Sequence, residues 1–126
     1  MVLEEEDLTE KIIGAAIHVH RELGPGFLES IYENALVIAL DEIGLYVEQQ
    51  KEIPIIYRGQ LVGTHRLDLI IENRIVVELK TVTAIQDIHF SIVRSYLKAT
   101  GLKHGLLLNF AKNILKMKRV SSTPMD

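Results

Sequence analysis

The sequence predicts an α/β fold, a mixed central β-sheet flanked by helices in the order α-α-β-β-β-α-β-β. Three observations carry this. The apolar period is helical over the first third of the chain, changes to alternation near residue 47, and becomes helical again at about 87–99. Ile75-Val76-Val77 runs without alternation, as in a strand covered on both faces. Finally, 126 residues that are 48% hydrophobic suffice for one core of two or three layers but not for two independent cores, so a single domain with a core of about 8–120 is expected.

The elements follow in order. Leu8, Ile12, Ala16, Val19 and Leu23 place a helix over 8–22, with Asp7 and Glu10 spaced as a capping box. Gly24-Pro25-Gly26 ends it. A second helix is expected over 28–43, burying Leu28, Ile31, Ala35, Leu36, Ala39 and Ile43 and stopping at Gly44. A strand over 47–57 carries Ile53, Ile55 and Tyr57 in alternation, and Pro54 assigns it to an edge or a bulge. Arg58-Gly59-Gln60 is a turn. Strands over 61–71 and 75–80 are joined at Glu72-Asn73-Arg74. The third helix, 87–99, bears Ile88, Ile92, Tyr96 and Ala99 and stops at Gly101. Leu106-Leu107-Leu108 is a buried strand, and a last strand over 114–120 sets Leu115 and Met117 against Lys116 and Lys118.

Composition excludes several classes of function. With no cysteine there is no disulfide, thiolate zinc site or iron–sulfur cluster. No apolar run reaches the roughly 18 residues of a membrane helix. The acidic start, Glu4 to Asp7, does not resemble a signal peptide, so a cytoplasmic protein without membrane association is expected. A net charge of −3 counts against a globally basic nucleic-acid binder but leaves room for a locally basic groove.

Asp68, Glu78 and Lys80 are the residues with chemical content. Glu78 and Lys80 are two apart in a strand and share a face, inside an apolar run where charges need partners or a metal. If the turn centres on Asn73, Asp68 lies opposite Glu78. A slip of one residue sends it to the other face. Two facing carboxylates suit a hard divalent ion, Mg²⁺ or Mn²⁺, with Lys80 near a developing phosphorane charge. Spacing alone equally allows a salt-bridged, solvated strand face.

Gly26-Phe27-Leu28-Glu29-Ser30-Ile31-Tyr32 matches the motif that names the GxxExxY proteins. The preceding Val19-His20-Arg21-Glu22-Leu23-Gly24-Pro25, together with Val77-Glu78-Leu79-Lys80, Tyr96-Leu97-Lys98-Ala99-Thr100-Gly101 and Gly105-Leu106-Leu107-Leu108-Asn109-Phe110, extends the likeness over about Leu8 to Val120. The sequence thus resembles this small prokaryotic family, a branch of the PD-(D/E)XK nuclease superfamily. The resemblance implies a restriction-endonuclease-like core and metal-dependent phosphodiester hydrolysis, with DNA as the expected partner. It implies Asp68 and Glu78 as metal ligands and Lys80 as the catalytic lysine, with Glu29 as a further acidic residue whose ionised form a helix N-terminus favours. The backbone carbonyl of Leu79 is a further candidate ligand. Two departures stand out. Leu67 replaces the proline common before the aspartate. Ile92 stands where the family's His-x-x-Gln pattern, begun here by His89, has glutamine. Gln86 can substitute only if the helix includes it.

Other signals have plainer readings. His18 and His20 do not share a helix face. Glu33 is read as a solvated charge and Tyr32 as core packing with a bonded hydroxyl. Arg66 either touches phosphate or forms an ion pair. Lys116 and Lys118, near Lys112 and Arg119, either contact phosphate or guard a sheet edge. Two functions compete with the nuclease. One is a weakened or inactive nuclease-fold domain that binds nucleic acid or a protein partner, favoured by Ile92 and the acidic net charge. The other is hydrolysis of a nucleotide. Cutting both strands of a duplex would suit a homodimer.

Overall fold

The structure, a computed structural model, describes residues 5–122. Of the acidic start, Glu4 lies outside the described residues, and Glu5, Glu6 and Asp7 open the first helix. Three helices and five strands follow in the expected order: α1 (Glu6–Leu23), α2 (Glu29–Glu42), β1 (Val47–Tyr57), β2 (Gln60–Ile71), β3 (Ile75–Lys80), α3 (Asp87–Thr100), β4 (His104–Asn109) and β5 (Lys116–Ser121). Among the described residues no helix is long and apolar enough to cross a membrane.

The sheet order is β1-β2-β3-β4-β5. Only the β3–β4 pair is parallel, because α3 carries the chain back across the sheet between them. The sheet separates two apolar layers. On one face α1 and α2 pack on Leu69, Ile71, Ile75, Val77, Leu79, Leu106 and Leu108. On the other, Val93, Tyr96 and Leu97 of α3 pack on Ile53, Leu67, Ile70, Val76 and Leu107. β3 is covered on both faces, as its unbroken apolar run requires. Gly105 lets α3 approach closely: a Cβ there would stand 2.8 Å from Val93 Cγ1.

Three local expectations are corrected. Asp7 and Glu10 both lie inside α1, whose N-cap is Glu5 without a side-chain cap bond, so there is no capping box. The buried line of α2 is Tyr32, Leu36 and Leu40; Leu28, Ile31 and Ile43 are exposed. In α3 the buried residues are Val93, Tyr96 and Leu97, while Ile88 and Ala99 are exposed. Both helices are apolar on more than one face, so helical spacing alone does not choose the buried one.

Tight turns set the strand registers. Arg58 and Gly59 take left-handed backbone (φ 51° and 78°) between the paired residues Tyr57 and Gln60, the geometry of a two-residue hairpin. Glu72 and Asn73 are also left-handed (φ 54° and 53°), and Arg74 N–H donates to the Ile71 carbonyl at 2.9 Å. Glu72 is held there by Tyr46, whose N–H donates to its carboxylate at 2.6 Å. β1 is an edge strand, consistent with Pro54.

Candidate active site

The β2–β3 hairpin pairs Ile71 with Ile75, Ile70 with Val76 and Leu69 with Val77. It therefore centres on Asn73, and the next positions along the two strands are Asp68 and Glu78. The ladder stops there. Leu79 N–H instead donates to the Asp68 carboxylate at 2.9 Å. The acid replaces a backbone acceptor and is fixed at the fork between the strands.

A backbone irregularity helps to place it. Gln50, between the paired positions Gln49–Leu69 and Lys51–Leu67, has φ 53°. Both strands change face at this point. Leu69 and Ile71 pack in the α1/α2 layer, yet Leu67, two residues before, packs under α3, and Ile53 of β1 joins it there. Strict alternation along the whole of β2 therefore fails beside Asp68.

Glu78 is only 5% exposed. Lys80 Nζ lies 3.7 Å from its Oε2, while its Oε1 is buried and meets no hydrogen-bond partner among the described residues. Burial first, and the adjacent Asp68 second, push the Glu78 carboxyl up from the usual 4.5 to about 8, against the pull of Lys80. Glu29, in the first turn of α2, is half-buried and senses Asp68, Lys80 and Glu33 as charged neighbours. Its carboxyl is also raised, chiefly by burial and then by Asp68, so these effects outweigh Lys80 and the Thr81 backbone bond, both of which favour ionisation. The four residues expected at the site are thus brought together from α2, β2 and β3.

The metal expected here is tested by the donors available. A buried carboxylate oxygen without a partner beside a second carboxylate fits a hard cation, which would offset the repulsion that helps to raise Glu78. Among the described residues no group of three or more His, Cys, Asp and Glu side chains is arranged to hold an ion. Such an ion would draw its side-chain donors from the Asp68–Glu78 pair.

Several residues differ from the sequence expectation. Glu33 is not a solvated charge: it is buried and accepts from Gln49 Nε2 at 2.7 Å and Gln50 Nε2 at 2.9 Å. Gln50 Nε2 also reaches Asp68 Oδ1 at 3.3 Å, so one amide links the Glu33 carboxylate to the site. No local pattern marks this, because the partners are 16 and 17 residues apart in the chain. Tyr96 is a second residue that sequence reasoning placed only in the core. Its hydroxyl is pushed up to about 12 by burial and then by Glu78 and Asp68, so it senses both carboxylates from α3. Its ring meets His65 edge-on at 4.8 Å.

Gln86 is the N-cap of α3 and lies outside the helix, so it does not meet the condition for replacing the missing amide. His89 serves the helix start, its Nδ1 accepting from Gln86 N–H at 2.8 Å. Ile92 packs at the edge of the α3 layer. Arg66 forms an ion pair with Glu52 at 2.8 Å. His18 pairs with Glu22 on the surface, while His20 is buried beside Phe110. Tyr32 is fully buried, donating to the Gly24 carbonyl at 2.6 Å and accepting from Phe27 N–H at 3.2 Å.

Comparison with known proteins agrees with this architecture. The crystal structure of SSO0001 superposes with a TM-score of 0.60 at 19% identity, covering 97% of this chain and 61% of that one. The present chain therefore spans about three-fifths of that structure, and the likeness is one of fold. No curated protein matches the sequence. Residues 6–120 match the family described as the PD-(D/E)XK nuclease superfamily, and the restriction-endonuclease-like sheet accords with that match. The chain belongs to the PD-(D/E)XK nuclease superfamily.

Proposed function

We propose that this protein is a divalent-metal-dependent nuclease of the GxxExxY branch, hydrolysing phosphodiester bonds in DNA. The observation that carries the reading is the Asp68–Glu78 pair at the strand fork, with a buried, unpartnered Glu78 oxygen and Lys80 at 3.7 Å. Asp68, Glu78 and the Leu79 carbonyl would hold Mg²⁺ or Mn²⁺, with Glu29 an additional acid nearby. The ion would supply a polarised water and charge neutralisation at the phosphate.

The chain's own groups do the positioning. The Leu79 N–H and the Gln50 amide orient the Asp68 carboxylate, and buried Glu33 fixes Gln50. Lys80 stays beside Glu78 and carries positive charge toward the phosphate oxygens, where charge develops during attack. A domain from about 8 to 120 forms the catalytic unit.

Calorimetric titration with Mn²⁺ of the wild type, Asp68→Asn and Glu78→Gln tests the metal site without assuming a substrate. Binding in the wild type alone, followed by metal-dependent cleavage of DNA or RNA oligonucleotides, is the expected result. Absence of binding at millimolar metal with an oligonucleotide present would refute the enzyme. A second reading, a weakened nuclease fold that binds nucleic acid or a protein, is favoured by Ile92, whose side chain cannot orient water. Ile92→Gln decides between them: a rise in cleavage over wild type shows a working but handicapped site.

A further inference from the structure

Charge is segregated between the two layers. From Glu6 to Glu42, the stretch that contains α1 and α2, eight acids stand against Lys11 and Arg21. From Asp87 to Ser122, Asp87 is the only acid against seven lysines and arginines. Arg119 of the second stretch points back to the acidic layer and pairs with Glu6 at 3.2 Å. The others are placed differently. Lys118 is paired with Leu107, which packs under α3, so Lys118 is on that face of the sheet. In the next row Lys80, Asn109 and Lys116 lie side by side across β3, β4 and β5. Lys80, Lys116 and Lys118 thus share the α3 face of the sheet.

On α3 itself, Arg94 and Lys98 line an open cleft of about 690 Å³ with Lys103 and Ser122. Among the described residues none of these three cations has a carboxylate partner, and the buried Arg94 Nε meets no acceptor. Ser95 and Lys98 also line a second cleft of about 480 Å³, whose other wall is the β1–β2 hairpin at Pro54, Ile55, Ile56 and His65. His65 is the residue that meets Tyr96, one ring from the carboxylate pair. Beyond this wall the hairpin ends in Ile56, Tyr57, Leu61 and Val62, all more than half exposed. Arg58 lies over the Tyr57 ring at 5.1 Å, and no acid occurs from Ile53 to His65.

We propose that this surface binds a nucleic acid with unpaired bases, the phosphates running over Arg94, Lys98 and Lys103 and a base stacking on the hairpin tip. The cations supply the attraction for a polyanion. The apolar, aromatic tip has no favourable partner on the sugar–phosphate exterior of an intact duplex, but it matches the face of an exposed base. Two copies of the chain meeting at this tip would bring the two Arg58 charges together, which disfavours a homodimer contact there. The inference rests on the carboxylate pair being a phosphodiester-cleaving site and names its substrate class.

The test is fluorescence anisotropy of a labelled oligothymidylate strand and of a duplex of equal length, in chelator so that no cleavage occurs, over a range of salt. Wild type should prefer the single strand. Arg94→Glu/Lys98→Glu should weaken binding tenfold or more, and loss of two phosphate contacts should flatten the log–log salt slope by about 1.4. Tyr57→Ser/Leu61→Ser should weaken single-strand binding roughly fivefold or more and leave the duplex unchanged. Unchanged affinity in either variant, or a wild-type preference for duplex, overturns the proposal. So does a dimer, seen by sedimentation, that the tip variant dissociates without loss of oligonucleotide affinity. Binding is read without metal, so the expected pattern alongside absent cleavage supports this surface while refuting the nuclease.

Discussion

Glu78→Gln should stabilise the metal-free protein at neutral pH while abolishing metal binding. The Glu78 carboxyl rises from 4.5 to about 8 on folding. The sign follows directly: the stability linked to this proton is fully present below pH 4.5 and is lost as pH rises through about 8. Between those values the native state holds a proton that the unfolded state releases, and stability falls by about 1.4 kcal/mol per pH unit from this group. Integrated to pH 7 the loss is about 3 kcal/mol, an upper figure because relaxation and solvent entry lower it. Glutamine keeps the shape and carries no such charge. Urea unfolding in chelator at pH 5.5, 6.5 and 7.5 reads the effect. The variant's advantage should widen by about 1 kcal/mol for each pH unit, and added Mn²⁺ should stabilise the wild type only. Parallel pH profiles for the two proteins would refute the assignment of a neutral, buried Glu78.

Other outcomes follow from the packing. Gly105→Ala should cost about 1–3 kcal/mol in chemical denaturation, because the new methyl meets the branched, fully buried Val93 and presses α3 off the sheet. Tyr32→Phe removes the donor to the Gly24 carbonyl and the acceptor of Phe27 N–H and should cost about 1–2 kcal/mol by the same measurement. Glu33→Ala removes one acceptor from each of Gln49 and Gln50, which keep Asn34 and Asp68, and should cost about 1–3 kcal/mol. It should also weaken Mn²⁺ affinity about tenfold in calorimetry, since the amide that steadies Asp68 loses its anchor.

Much of the fold is legible in the residues because the apolar period changes where the elements change. The hairpin is legible too, since Glu72-Asn73-Arg74 is a short polar break between two apolar runs, but the register that sets Asp68 against Glu78 is fixed only by the strand pairing. What escapes is decided by tertiary contact. The α2 sequence offers two helical lines, Leu28–Ile31–Ala35 and Tyr32–Leu36–Leu40, and the sheet selects the second. Glu33 looks like any exposed helix carboxylate until β1 brings two glutamine amides to it. Tyr96 satisfies a core stripe whether or not its hydroxyl faces charge. The left-handed Gln50 has no signature, since neither glycine nor asparagine stands there.

The two carboxylates are ten residues apart and sit on a hairpin with a three-residue connection, whereas the parallel β3–β4 pair forms only after the chain has wound through α3. Hairpins of this kind close in microseconds, ahead of non-local pairing. On that order Asp68 and Glu78 would meet while both are still hydrated, when their repulsion is weak, and the electrostatic penalty would be imposed only as α2 and α3 dock and exclude water. The hairpin pairs the acids and the helical layers bury them, so loosening a layer should relieve the penalty without parting the pair.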